Sequence, residues 1–192
     1  MNGKSPVVLS IDAGFEALGW VVARLIEIDR KMSIDLVAVG VIRTKKDTKK
    51  KHIYVADDDC RRIKELITGL RGVLDVVKID GIVAEIPSGG AQGARANRCM
   101  GMSTAIVICF AEMLNVPIET YTPNEVKKVM TGKITASKEA MVAGAQAEWP
   151  DTKWPKNKGD IHHAADAAAT LLAAEANGNL LKMLYNSAKL RP

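Results

Sequence analysis

Three carboxylates stand where buried apolar segments should carry none. Asp12 ends the run Val7-Val8-Leu9-Ser10-Ile11. Glu85 interrupts the apolar stretch 81–86, and Asp166 lies midway through the alanine-rich segment 162–176. A carboxylate near a core is costly unless it is paired or bound to a metal. Two of them ~4 Å apart repel by about 4 kcal/mol at an effective dielectric near 20. Each one alone has a plain structural reading, as a turn former, a strand-edge residue and an exposed helix residue respectively. Taken together, three that lie far apart in sequence imply one shared cation site. The two strands that carry Asp12 and Glu85 must then be neighbours.

The rest of the chain reads as a mixed α/β pattern. Residues 7–11 form a continuous apolar run followed by Asp-Ala-Gly, which predicts a central strand and a turn. Residues 19–26 and 34–42 predict the next two strands, joined by a short polar connection, 27–33, into a meander. Residues 43–52 read as a charged loop. Over 58–78, Ile63, Leu66, Ile67, Leu70, Leu74 and Val77 share one helical face. Asp57, Asp58 and Asp59 stand at its start, where the helix dipole favours them. A strand over 81–86 is closed by Pro87. A Gly-rich loop, 88–93, leads into a long helix over Ala94–Leu114, and a short strand follows at 116–120.

A helix over 123–130 opens with Pro123 after a cap at Thr122. Another over 137–148 has Ser137 as its candidate N-cap. The helix over 160–176 starts at Asp160, read as an N-cap, and stops at Asn177-Gly178. A short helix over 180–190 ends the chain. With no repeat and no linker, the expectation is one domain over 1–192, with a core of about 7–176 and a short helical extension over 177–192. Trp149 and Trp154, in the loop 149–158, are expected to pack on the core.

Composition narrows the class. With 47% hydrophobic and 26% charged residues the chain can bury a real core. Its net charge of +5 and pI near 9.1 favour acidic partners, nucleic acid included. Cys60, Cys99 and Cys109 form no CxxC pair, so reduced thiols in a cytoplasmic, reducing compartment are expected. The N-terminus lacks a signal-peptide pattern. The apolar run 105–111 is far too short to span a bilayer.

Several basic residues could hold nucleic acid. Arg43, Lys45, Lys46, Lys49, Lys50 and Lys51 face only Asp47 in their segment and could neutralise backbone phosphates without reading sequence. Arg95 and Arg98 follow the Gly-rich loop and are expected to face the same DNA. Lys128 and Lys133 are further candidates. His163 precedes Asp166 by three residues and His162 by four, so either can share its helix face.

At these same residues the chain resembles the RuvC Holliday-junction resolvases. Ser10-Ile11-Asp12-Ala13-Gly14 followed by Leu18-Gly19-Trp20-Val21-Val22 is similar to their first hairpin. Ile82-Val83-Ala84-Glu85 is similar to the second acidic strand, and His163-Ala164-Ala165-Asp166-Ala167 to the final acidic helix. Val126-Lys127, Gly132 and Lys138 resemble the paired-lysine segment. The likeness runs from about Val7 to Ala174, four motifs in order.

That resemblance implies an α/β fold of RNase H-like (RuvC-type) class, a mixed sheet of about five strands flanked by helices. It implies a magnesium-dependent, homodimeric endonuclease that resolves four-way Holliday junctions by paired strand cleavage, leaving 5′-phosphates. Two Mg2+ ions, with Mn2+ as a substitute, would be bridged by Asp12 and flanked by Glu85 and Asp166. His163 is expected to ligate metal or assist the attacking water. Lys127 and Lys138 are expected beside the scissile phosphate, and the helix 94–114 at the dimer contact. The family can place a wedging aromatic three residues after the strand-four glutamate; here that residue is Ser88. Three rivals stay open: an RNase H-like nuclease of broader branched or flapped DNA specificity, an actin-like ATPase, and a catalytically inactive junction-binding protein. Nothing identifies a branch-migration helicase partner.

Overall fold

A computed structural model describes residues 5–47, 54–75, 77–87, 89 and 93–190. Strand β1, Val7–Asp12, shows how the layers arise. Its alternation sends Val7, Leu9 and Ile11 into one apolar cluster and Val8 into another, so Ser10 and Asp12 share the face of Val8. A strand buried on both faces must be central, and β1 is: the sheet order is β3-β2-β1-β4-β5.

Strands β2, Ala17–Ile28, and β3, Lys31–Arg43, form a long antiparallel hairpin. Both are longer than their apolar cores predict. The expected connection 27–33 is mostly strand, closed by Asp29 and Arg30 at φ 50° and 63°. Two successive positive φ values make the tight turn whose twist suits a two-residue hairpin. Arg43 is therefore the last residue of β3 and not part of a loop. Strands β4, Gly81–Glu85, and β5, Ile118–Tyr121, run parallel to β1.

Helices α1, Val55–Leu74, and α2, Ala94–Leu114, cover the face that carries Leu9 and Ile11. Helix α1 ends before Val77. Val77 still packs on the same cluster from the chain beyond the helix, as does Ile79, so helical spacing is not needed there. Helix α2 has the predicted bounds. Its Ser103, Ile106, Val107, Phe110 and Ala111 point inward, while Gly101, Ala105, Cys109 and Met113 are exposed. An acidic residue at Ile106 or Phe110 would thus enter the core and would not test the outer face.

The opposite face is covered by α3, Pro123–Thr131, α4, Lys138–Glu148, α5, Lys158–Asn177, and α6, Leu180–Lys189. Thr122 caps α3 in a capping box with Glu125, and Ser137 caps α4, both as the sequence predicts. The cap of α5 is Asn157, not Asp160. Asp160 lies in the first turn instead and pairs with Arg43. Helix α5 is alanine-rich because it sits against β1, β2, β3 and β4 and also against α3 and α4. Small side chains let its backbone approach the sheet. Inserting extra methylenes there would overpack by about 1–3 kcal/mol. The Trp149 indole donates to the Ile34 carbonyl at 3.1 Å and Trp154 to the Trp149 carbonyl at 3.4 Å, so this loop packs on the core as expected.

Candidate active site

In the parallel register of β1 and β4, Asp12 is the direct partner of Glu85. Both stand at the C-terminal ends of their strands. Both follow, two residues on, a residue of the α5-facing cluster or face: Val83 precedes Glu85, and Ser10 precedes Asp12. The alternation of the strands therefore turns both carboxylates toward α5.

Two further residues set where α5 lies. The Ser10 hydroxyl, fully buried, donates to the carbonyl of Ala167 at 2.6 Å. A Cβ at Gly19, the antiparallel partner of Asp12, would overlap the carbonyl oxygen of His163. Helix α5 thus comes down directly over the Asp12 end of the sheet. The cost of a glycine inside a strand is accepted for that close approach. The result brings His163 and Asp166 to Asp12 and Glu85.

His163 Nδ1 lies 2.7 Å from Asp12 Oδ2. A carboxylate oxygen only accepts, so Nδ1 carries the hydrogen and donates it. In the neutral ring Nε2 is then left with a free lone pair. His162 lies near enough to Glu139 of α4 to act on that carboxyl, whereas it is His163 that bonds Asp12. This separates the two histidines, which helix spacing alone does not.

The site strongly disfavours bare negative charge. Burial pushes the Glu85 carboxyl up to about 9, and the charges of Asp12 and Asp166 push the same way while Lys127 opposes them. Burial also raises Asp166 to about 7, with Asp12 adding to the shift and His163, Lys138 and Lys127 opposing it. Lys127 and Lys138 therefore reach the site electrostatically from α3 and α4. A bound cation would favour the ionised forms of these carboxyls.

Among the described residues, no three His, Cys, Asp or Glu side chains converge closely enough to grip an ion unaided. The four groups form an open cluster. A cation held there would need water or substrate oxygens to complete its ligands.

The basic candidates divide. Lys45, Lys46, Lys128, Lys133 and Lys138 are exposed. Lys49, Lys50 and Lys51, and likewise Ser88, lie outside the described residues. Arg95 and Arg98 are ion-paired while still part-exposed: Arg95 grips both oxygens of Asp59, and Arg98 approaches the same carboxylate at 3.1 Å. Asp59 is almost fully buried, so its charge requires these partners, and they hold its carboxyl well below the usual range. Asp58 is buried as well and is held down by Arg61. The acidic run at the start of α1 is thus an ion-pair cluster and more than a response to the helix dipole.

Sequence reasoning missed Ser10, Gly19 and the ion-pair cluster. A serine amid apolar residues and a glycine inside a strand were the available signals.

Comparison with known proteins agrees with this geometry. The family model described as crossover junction endodeoxyribonuclease RuvC matches residues 8–173. A RuvC from Chlamydia abortus is 28% identical over 69% of this chain and 73% of its own length. One from Salinibacter ruber is 31% identical over 69% of this chain and 66% of its own. Among solved structures, T. thermophilus RuvC in complex with a Holliday junction substrate superposes with a TM-score of 0.66 at 22% identity, covering 88% of this chain and 93% of that one. The yeast mitochondrial Holliday junction resolvase gives 0.55 at 18% identity, over 97% and 84%. These likenesses show the RNase H-like resolvase fold, and no helix among the described residues is long and apolar enough to cross a membrane. Since the family model spans most of its length, the chain belongs to the crossover junction endodeoxyribonuclease RuvC family.

Proposed function

We propose that this RuvC-family nuclease resolves four-way DNA junctions by metal-dependent hydrolysis of one strand per subunit of a homodimer. The single observation that carries the reading is the meeting of Asp12, Glu85, His163 and Asp166 at one end of β1, β4 and α5. Two magnesium ions, replaceable by manganese, would be held by Asp12, Glu85, His163 and Asp166. Bound there, they would lower the pKa of water and stabilise the leaving oxygen of an in-line displacement.

The chain's own groups do the rest. Asp12 orients the His163 ring, whose free Nε2 is available to a cation or to the proton of the attacking water. Burial of Glu85 and Asp166 makes their ionised forms dependent on a cation. Lys127 and Lys138 place positive charge beside the phosphate, where charge grows in the transition state. The water oxygen bonds to phosphorus, the P–O3′ bond breaks and the departing O3′ takes a proton from solvent, leaving a 5′-phosphate and a 3′-hydroxyl. Lys45, Lys46, Lys49, Lys50 and Lys51, with Lys128 and Lys133, hold backbone phosphates. The exposed small-residue face of α2, at Gly101, Ala105 and Cys109, is the surface on which two subunits would meet by a two-fold contact. We also read the described elements as one nuclease domain working in a reducing cytoplasm.

The test is cleavage of a mobile synthetic four-way junction beside flap and duplex controls in magnesium. Paired cuts on the junction, well above those on the controls, are expected. Equal cutting of flaps would favour the broader branched-DNA nuclease. No cutting of any substrate would reject the enzymatic reading.

A further inference from the structure

Arg62 of α1 is 2% exposed, yet it carries a permanent charge and five donors. Nothing in the chemistry above uses it. Its contacts all lead to one place. Nε donates to Thr44 Oγ1 at 2.9 Å, and Nη2 reaches the carbonyl of Phe15 at 3.5 Å. Its guanidinium lies 4.4 Å over the Phe15 ring, and Glu16 is 3.8 Å away. Thr44 completes the clasp. Its hydroxyl donates to Phe15 O at 2.7 Å, and its backbone N–H donates to Glu16 O at 3.0 Å.

Phe15 and Glu16 belong to the turn that leaves Asp12. The near end of that turn is tied by Gly14 N–H to Asp12 O at 2.9 Å and by Ala13 N–H to Glu85 O at 3.2 Å. Its far end is tied through Thr44 and Arg62, with the Phe15 ring buried in the α1-facing cluster and Ala17 entering β2 opposite Arg43. Asp58 and Asp59 lie near enough for the Arg62 charge to act on both carboxyls, and they compensate it. They in turn pair with Arg61, Arg95 and Arg98. A buried, charge-compensated arginine is an expensive way to hold a turn that apolar packing could hold. What it adds is direction: a planar fork stacked on a ring fixes its neighbours more tightly than a methyl cluster does.

We propose that Arg62, acting through Thr44, is a positioning residue for Asp12. His163 fixes the Asp12 carboxylate from the α5 side, and the Arg62–Thr44 clasp holds the turn that leaves Asp12 from the α1 side. The proposal rests on the reading of Asp12 as a metal ligand. With the clasp loosened, Asp12 samples orientations that no longer meet the metal. Metal affinity and the cleavage step then suffer, while junction binding by the exposed lysines does not.

Arg62→Lys keeps the charge and removes the fork; Thr44→Val keeps the shape and removes the hydroxyl; Thr44→Ser restores it. Val73→Ala, a buried truncation farther along the same helix, serves as the stability-matched control. Four quantities are read on each: the melting temperature, the Mg2+ midpoint from thermal-shift titration of DNA-free protein, the single-turnover cleavage rate on saturating junction, and the junction affinity. Arg62→Lys and Thr44→Val are expected to raise the midpoint and slow cleavage by about tenfold, the lower end for groups that orient metal ligands. Junction affinity should stay unchanged. Thr44→Ser should return to wild-type behaviour, and Val73→Ala should lose melting temperature only.

If Arg62→Lys does not fold, the Thr44→Val and Thr44→Ser pair makes the same comparison. Variants that lose melting temperature but keep the wild-type midpoint and rate would overturn the proposal, leaving Arg62 a purely structural residue. A wild-type protein that neither responds to Mg2+ nor cuts would overturn the metal reading itself, and the proposal with it.

Discussion

At the scale of single residues, the site depends on atoms that take no part in chemistry. Gly19→Ala forces a methyl group against the His163 carbonyl, so α5 must retreat from the Asp12 end of the sheet. We expect a loss of about 1–3 kcal/mol by denaturant unfolding, the usual size for overpacking, with junction cleavage reduced well beyond that of equally destabilised controls. Wild-type stability would contradict the close approach. His163→Ala should slow single-turnover cleavage by about 10–100-fold, while His162→Ala, whose ring acts on Glu139, should leave it near wild type. Comparable losses from both would mean the two histidines share the role. The carboxylates were legible in the sequence because apolar neighbours make a lone acid conspicuous. Ser10 and Gly19 were not, because their partners are Ala167 and His163 on α5, which no local pattern links to β1 or β2. The pairing of Arg95 and Arg98 was hidden for the same reason: a basic residue after a Gly-rich loop shows no partner until a buried Asp59 is found facing it.

At the scale of elements, α2 has two faces with opposite requirements. Ile106→Glu would put a carboxylate into the core beside Phe110 and Val107, a burial cost of several kcal/mol without a partner. It should give insoluble or unfolded protein. Ala105→Glu lies on the exposed face and should give a folded monomer by light scattering, with intact helical circular dichroism. A dimeric Ala105→Glu would remove α2 from the contact. The α1–α2 ion-pair cluster carries a pH signature. The folded-state pKa values of Asp58 and Asp59 lie below their unfolded values. Their stabilisation is therefore fully present above the unfolded value, about pH 4, and fades as pH falls through the folded one. Asp59→Asn should flatten the acid limb of melting temperature against pH below about pH 4. An unchanged limb would mean this pairing adds nothing to acid stability. Element types were readable from period and punctuation. Boundaries failed where tertiary contacts replaced periodicity, as when Val77 reaches the core from outside α1, or where strands outran their apolar cores, as in the β2–β3 hairpin.

At the scale of the whole molecule, binding and chemistry fall to different residues under the proposed function. Lys45 and Lys46 are exposed, and in that proposal they and the Lys49–Lys51 segment take the backbone phosphates, whereas Lys127 acts on Glu85 and Asp166. Neutralising the first group should weaken junction affinity and flatten its dependence on salt. Lys127→Ala should slow cleavage with little change in that slope, and equal effects from both groups would erase the division. Family membership, a five-stranded sheet with β1 beside β4, and α5 laid across the Asp12 end all converge on one claim: Asp12, Glu85 and Asp166 act as a single cation-dependent centre. The most direct test is single-turnover cleavage of a four-way junction by Asp12→Asn, Glu85→Gln and Asp166→Asn, each alone, in saturating magnesium, with junction binding measured in parallel. The account predicts that each variant loses cleavage by more than about 100-fold, the scale of lost metal-ligand support, while still binding the junction. Near wild-type cleavage by any one of the three would contradict it.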